Sequence, residues 1–180
     1  IALIGDGFIN RLNPAGIARI SHTRISGGFE YSNFSSTDKF GTSNFGDGSY
    51  KGLAFGIPVA KDYGVVMLLE SSPYSSVNYA VEQADNQLCQ KFYGKGGLSL
   101  LSFGGSYSPS STLTFGAKLN YVFGRIRQFV KFDFADGTFT DSELDRSDFY
   151  SGFNFTVGTI YEGMGDLLNA PSLKPLSVGM

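Results

Sequence analysis

The feature that most constrains this chain is a period-two alternation of apolar and small or polar residues, sustained over stretches of about ten residues. Leu113, Phe115, Ala117, Leu119, Tyr121 and Phe123 alternate with Thr114, Gly116, Lys118, Asn120, Val122 and Gly124. Leu53, Phe55, Ile57 and Val59 alternate with Gly52, Ala54, Gly56 and Pro58. Phe149, Phe153, Phe155, Val157 and Tyr161 alternate with Asp148, Gly152, Asn154, Thr156 and Gly158. Successive side chains of a β-strand point to opposite faces, so this period predicts strands with two unlike faces. Candidate strands fall at 23–35, 49–60, 63–81, 91–107, 112–134 and 147–161, with a seventh beginning near Leu173. In 91–107 the phase slips between Leu100 and Leu101, which predicts a bulge.

Strand length and connection rhythm narrow the fold class. A bilayer is crossed by about 9–11 strand residues, whereas globular strands average about 5–6. The connections alternate: 36–48, 82–90 and 135–146 are long and polar, while 61–62 and 108–111 are tight. Outer-membrane barrels combine short periplasmic turns with long outside loops. The expected class is therefore all-β, an antiparallel transmembrane β-barrel, with a soluble β-sandwich as its rival. Six or seven strands make only part of a larger barrel, since an open edge in lipid leaves backbone groups unsatisfied. The expectation is that further strands come from more of this protein or from another chain. Residues 1–22 lack the alternation and are rich in turn formers, so the chain divides into a compact N-terminal segment, 1–22, and barrel strands, 23–180.

Composition excludes several classes. Gly 24, Phe 17 and Tyr 10 suit strands and turns rather than helices. A net charge of −2 offers no basic footprint for nucleic acid. The single Cys89 rules out an intramolecular disulfide. His22 stands alone, and the acids Asp133, Asp136, Asp141, Glu143, Asp145 and Asp148 lack the spacing of a calcium loop, so no metal or other cofactor is expected. No nucleophile elbow, phosphate loop or dinucleotide fingerprint occurs, and no catalytic residue is expected. Glu30, Lys118, Asn120 and Asn154 fall on the polar faces of their strands and would point into a barrel lumen. Leu53, Phe55, Ile57, Val59, Leu113, Phe115, Leu119, Phe153, Phe155 and Val157 would face lipid, opposite Gly52, Gly56 and Gly152.

The run Gly7-Phe8-Ile9-Asn10-Arg11-Leu12-Asn13-Pro14-Ala15-Gly16, with Phe55-Gly56-Ile57-Pro58-Val59, Ser72-Pro73-Tyr74-Ser75, Gly94-Lys95-Gly96-Gly97-Leu98 and Tyr107-Ser108-Pro109, resembles the FadL-like outer-membrane barrels of the Bacteroidetes–Chlorobi type, in their N-terminal portion. That resemblance implies a lumen hatch carried by Asn10, Asn13, Pro14, Ala15 and Gly16. It also implies passive uptake of hydrophobic small molecules, fatty-acid-like or aromatic, with lateral exit at a strand-three kink over Ser72, Pro73, Tyr74 and Ser75. A proline in mid-strand lacks a ladder donor, which gives such a kink a physical cause. The implied setting is the outer membrane of a Gram-negative bacterium, reached by export, with the lipid bilayer and a hydrophobic ligand or detergent as partners. Two other functions are consistent with the residues: a non-transporting barrel that anchors or scaffolds a larger protein assembly, with protein partners, and a soluble β-rich binding module.

Overall fold

The computed structural model describes residues 2–38, 41–84, 88–134, 140, 142–167 and 177–180. The chain is all-β and antiparallel in architecture. Seven strands form one sheet in sequence order: β1 (Arg24–Asp38), β2 (Gly41–Ala60), β3 (Val65–Ala84), β4 (Leu88–Tyr107), β5 (Leu113–Phe134), β6 (Ser142–Tyr161) and β7 (Val178–Gly179). A 3-10 turn at Pro14–Ile17, another at Lys61–Tyr63 and a single helical turn, α1 (Met164–Leu167), complete the described elements. No described helix is long and apolar enough to cross a membrane. The seventh strand expected near Leu173 starts outside the described residues, and only Val178–Gly179 pairs with β6, through Ile160↔Gly179 and Tyr161↔Val178.

β1, β2, β4 and β6 are longer than the sequence predicts, and the long polar loops are a correction. β1 and β2 pair from Arg24↔Gly56 to Asp38↔Gly41, so most of 36–48 is ladder rather than loop. β3 and β4 likewise extend to Ala84 and from Leu88, and β6 begins at Ser142, whereas β5 ends at Phe134 as expected. The polarity of these stretches marks solvation, not loss of pairing. On the β1–β2 hairpin the rings of Phe29 and Tyr31 lie over Gly48 and Gly46, where a Cβ would collide with them. A solvated ladder is thus held by aromatic-on-glycine cross-strand contacts. In a strand of 20 residues, such as β3, the rise of about 3.3 Å per residue gives roughly twice the length needed to span a bilayer.

Two register irregularities mark β2. Gly28↔Gly52 is followed by Phe29↔Tyr50, so Lys51 is passed over. One extra residue inverts the facing of everything beyond it, which sets Tyr50 on the face of Leu53. A second shift falls between Pro58 and Ala60. In β4, Gly96 has a φ of +132°, and the buried positions Gly94, Ser102 and Ser106 keep one parity across Leu100–Leu101.

The residues cluster into two compact units. The first comprises 1–72, 101–120 and 154–180; the second comprises 73–100 and 121–153. In the first unit one sheet face is buried and the other exposed. Gly52, Ala54, Gly56, Val66, Leu68, Glu70, Ser72, Ser102, Ser106, Thr114, Gly116, Lys118, Asn120, Gly158 and Ile160 are buried. Their neighbours Leu53, Ile57, Val59, Met67, Leu69, Leu101, Phe103, Phe115, Leu119, Phe155 and Val157 are exposed. The cover is the N-terminal segment: Ile9, Ile17 and Ile20 pack with Ala54, Val66 and Leu68 as the hydrophobic core. The run Val65-Val66-Met67-Leu68-Leu69 is apolar on both faces because its even residues meet this segment while its odd residues point away.

The second unit holds charged and aromatic pairs. Arg127 makes a bidentate pair with Asp145 at 2.9 and 3.3 Å. Lys91 lies 3.7 Å from both Glu82 and Asp133. The Cys89 thiol donates to Glu82 at 3.2 Å. That bond is the first cause, ahead of desolvation, that pushes the thiol pKa above its ordinary 9.0.

Candidate functional site

The most elaborate constellation in the chain is the contact between segment 9–20 and the buried sheet face of the first unit. It begins with local turn chemistry. Asn10 donates its amide to Leu3 O at 2.9 Å and accepts from Leu12 N and Asn13 N. Asn13 caps the 3-10 turn by accepting from Ala15 N at 3.0 Å, with Pro14 at the first turn position. An asparagine side chain mimics a backbone turn in this way, and proline at the start gives up no needed donor. The Asn13 amide also reaches Thr159 O and Met180 O at 3.4 and 3.3 Å, tying the turn to the β6 end of the sheet.

The sheet approaches the segment closely where it carries glycine. A Cβ at Gly116 would overlap the backbone of Pro14 and Ala15, and one at Gly158 would overlap the Asn13 carboxamide. The residues opposite the Asn-Pro-Ala-Gly turn are thus small because backbone must pass there. Beside this contact lies a buried charge cluster. Arg11 Nε donates to Glu70 Oε1 at 2.7 Å, and Lys118 Nζ donates to Glu70 Oε2 at 3.2 Å and to Arg11 O at 2.6 Å. Arg11 Nη1 also donates to Lys51 O at 3.1 Å. Glu70 and Lys118 side chains are only 4% and 7% exposed, so each charge depends on the others for solvation. Further along, Asn120 donates to Asn154 Oδ1 at 2.6 Å and to Thr156 Oγ1 at 3.0 Å. At the far end of the segment, Arg19 pairs with Glu162 at 2.8 Å and donates to Ser111 O. Asp6 accepts from Ser21 N and from the Ser21 hydroxyl. The backbone donor chiefly holds its carboxyl below the ordinary 3.8.

The structure gathers Asn10, Asn13, Pro14, Ala15, Gly16 and Lys118 around one contact, while Asn120 and the exposed Asn154 bond each other beyond it. Glu30 lies apart, exposed and paired with Lys51 at 3.3 Å. Ser72 is buried at the end of the first unit, while Pro73, Tyr74 and Ser75 are exposed in the second. β3 is continuous through Pro73, and its described pairing with β2 runs from Ala60↔Val65 to Leu53↔Ser71. Sequence reading missed Arg11 and Glu70. The signal for Glu70 was present: it follows Val66 and Leu68 on the buried face, where a carboxylate needs a cationic partner. Among the described residues no group of His, Cys, Asp and Glu is arranged to hold a metal ion.

Fold and site together define an antiparallel sheet protein with a bare apolar face and an opposite face sealed, in its first unit, by its own N-terminal segment. The chain belongs to the BamG family, whose model matches residues 4–168. That family takes its name from the outer-membrane assembly (Bam) system. No curated protein and no solved structure matches the chain. The family match overturns the FadL-like resemblance. Its motifs record a physical demand that any backbone segment laid on a sheet would share. Asn10 and Asn13 satisfy turn amides, Pro14 starts the turn, and Gly16 has no room for a Cβ against Leu3 O and Asn10.

Proposed function

We propose that this chain is the wall of an outer-membrane β-barrel that serves as a non-transporting component of an outer-membrane protein assembly, with other proteins of that assembly as its partners. The observation that carries the reading is the sealed face. Ile17 and Ile20 are fully buried against the sheet, and Arg11, Glu70 and Lys118 lock the segment in place. A segment fixed by buried charge and by glycine-permitted backbone contact acts as a plug rather than as a ligand gate. The family name points to the same setting. In this reading residues 1–22 are the lumen plug, 23–180 supply barrel strands, and the aromatic face meets lipid. No catalytic step belongs to it.

The test is to tag the full-length protein in its native outer membrane, solubilise it mildly and resolve it by size-exclusion chromatography with mass spectrometry. A stoichiometric complex with outer-membrane assembly proteins is expected, and depletion should lower the amount of heat-modifiable barrel proteins. A lone barrel that accelerates entry of a hydrophobic dye into proteoliposomes would sink the proposal.

A further inference from the structure

Within the second unit, the aromatic face of β5 and β6 holds a notch with one cation at its lip. Tyr121 and Phe153 rings meet at 4.7 Å, and the Arg125 guanidinium lies over the Phe149 ring at 5.4 Å. These two cross-strand pairs share one spacing, so Phe123 stands opposite Ser151. Tyr121 and Phe123 stack at 5.4 Å. Ser151 is the one small residue between the large rings Phe149 and Phe153 on this face of β6. The result is a cavity of about 400 Å³ lined by Tyr121, Phe123, Arg125, Phe149 and Ser151 among others. Its walls are rings, and a hydroxyl stands in the gap between them.

Arg125 differs from its charged neighbours. Arg127 is held by Asp145 and Arg146 by Asp148, at 2.9 and 3.0 Å. Among the described residues no carboxylate pairs with Arg125, whose recorded contact is the Phe149 ring. Stacking on an aromatic face orients a guanidinium while leaving its in-plane N–H donors free. A planar fork of free donors matches the oxygens of a phosphate, and the ring-walled notch beside it matches the first methylenes of an acyl chain. Aromatic rings next to a cation are also the composition of the interfacial belt of a membrane strand.

We propose that Arg125, with Ser151 and the rings of Tyr121, Phe123 and Phe149, forms a site for the phosphate headgroup of a membrane lipid. The inference rests on the barrel reading above, since the ligand must approach from the bilayer. The full-length protein in dodecylmaltoside is offered phosphatidylglycerol or an uncharged phosphate-free glycolipid, and retention is read by native mass spectrometry. The wild type should keep one phosphatidylglycerol preferentially. Arg125→Ala should lower that retention about tenfold, the effect of losing hydrogen bonds to a charged group. Ser151→Phe, which fills the notch and keeps the cation, should lower it as well, whereas Arg127→Ala should not. Equal retention of the two lipids by the wild type, or undiminished retention in both Arg125→Ala and Ser151→Phe, would overturn the site. Displacement of the lipid by excess inorganic phosphate would overturn the lipid assignment in favour of a free anion. A protein that stays monodisperse without detergent would instead defeat the barrel reading, so the two failures are separable.

Discussion

At the scale of single residues, the N-terminal contact depends on what a few positions lack. Gly116 has no Cβ, and the backbone of Pro14 and Ala15 occupies that space. Gly116→Val must push segment 9–20 off the sheet, because backbone cannot rotate aside as a side chain can. The expected outcome is a folded sheet whose Arg11 peptide bonds become open to trypsin, read by limited proteolysis. Glu70 and Lys118 make the complementary case. Removing Glu70 leaves the buried Lys118 ammonium without its carboxylate, so Glu70→Ala should destabilise by about 3–5 kcal/mol. The double variant Glu70→Leu/Lys118→Leu should cost much less, and denaturant unfolding of both variants checks the difference. Asp6 gives the pH dependence. Its carboxyl titrates below its ordinary 3.8 in the folded state, so its contribution is complete above that value and is lost as pH falls through the folded pKa. The protection of the Ser21 amide relative to its intrinsic exchange rate should therefore fall in acid, and Asp6→Asn should abolish that acid step.

At the scale of elements, the finding is that polar hairpin ends are still strand. Lone sequence pattern treats 36–48, 82–90 and 135–146 as loops because their apolar alternation stops. Pairing needs backbone groups, not apolar side chains, and solvent satisfies the polar side chains on both faces. What holds the β1–β2 end is local: Phe29 and Tyr31 over Gly48 and Gly46. Tyr31→Ala should weaken that ladder by about 0.5–1 kcal/mol, seen as faster hydrogen exchange confined to 31–48. Cys89 reports on the β3–β4 end. With its thiol pKa raised chiefly by the bond to Glu82, maleimide should label it more slowly than a free cysteine at the same pH, and Glu82→Gln should speed the reaction.

At the scale of the whole molecule, the two faces of the strands decide where the chain resides. These 180 residues hold no tryptophan, so single substitutions in them report cleanly. In brominated phospholipid bilayers Phe155→Trp should be strongly quenched, while Ser106→Trp, on the buried face, should not. Quenching of both to the same degree would contradict the assignment of faces.

The sequence by itself determined the strand class and the alternation of faces. Each of these is a local matter of side-chain period and turn chemistry. Asn10, Asn13 and Pro14 could be read as turn-makers for the same reason: their bonds lie within a few residues. Only tertiary structure decided that Ala54 and Gly56 of β2, Val66, Leu68 and Glu70 of β3, and Gly116 and Lys118 of β5 are covered by the chain's own start. Arg11 and Glu70 stand 59 positions apart, and Arg11 O and Lys118 Nζ stand 107 apart. No periodicity links such residues; the antiparallel register of the sheet does. It also converted isolated glycines on separate strands into one bed for a backbone segment. The same register set Arg125 beside Phe149 rather than beside an acid, because position on a face is local but the neighbour across the ladder is not.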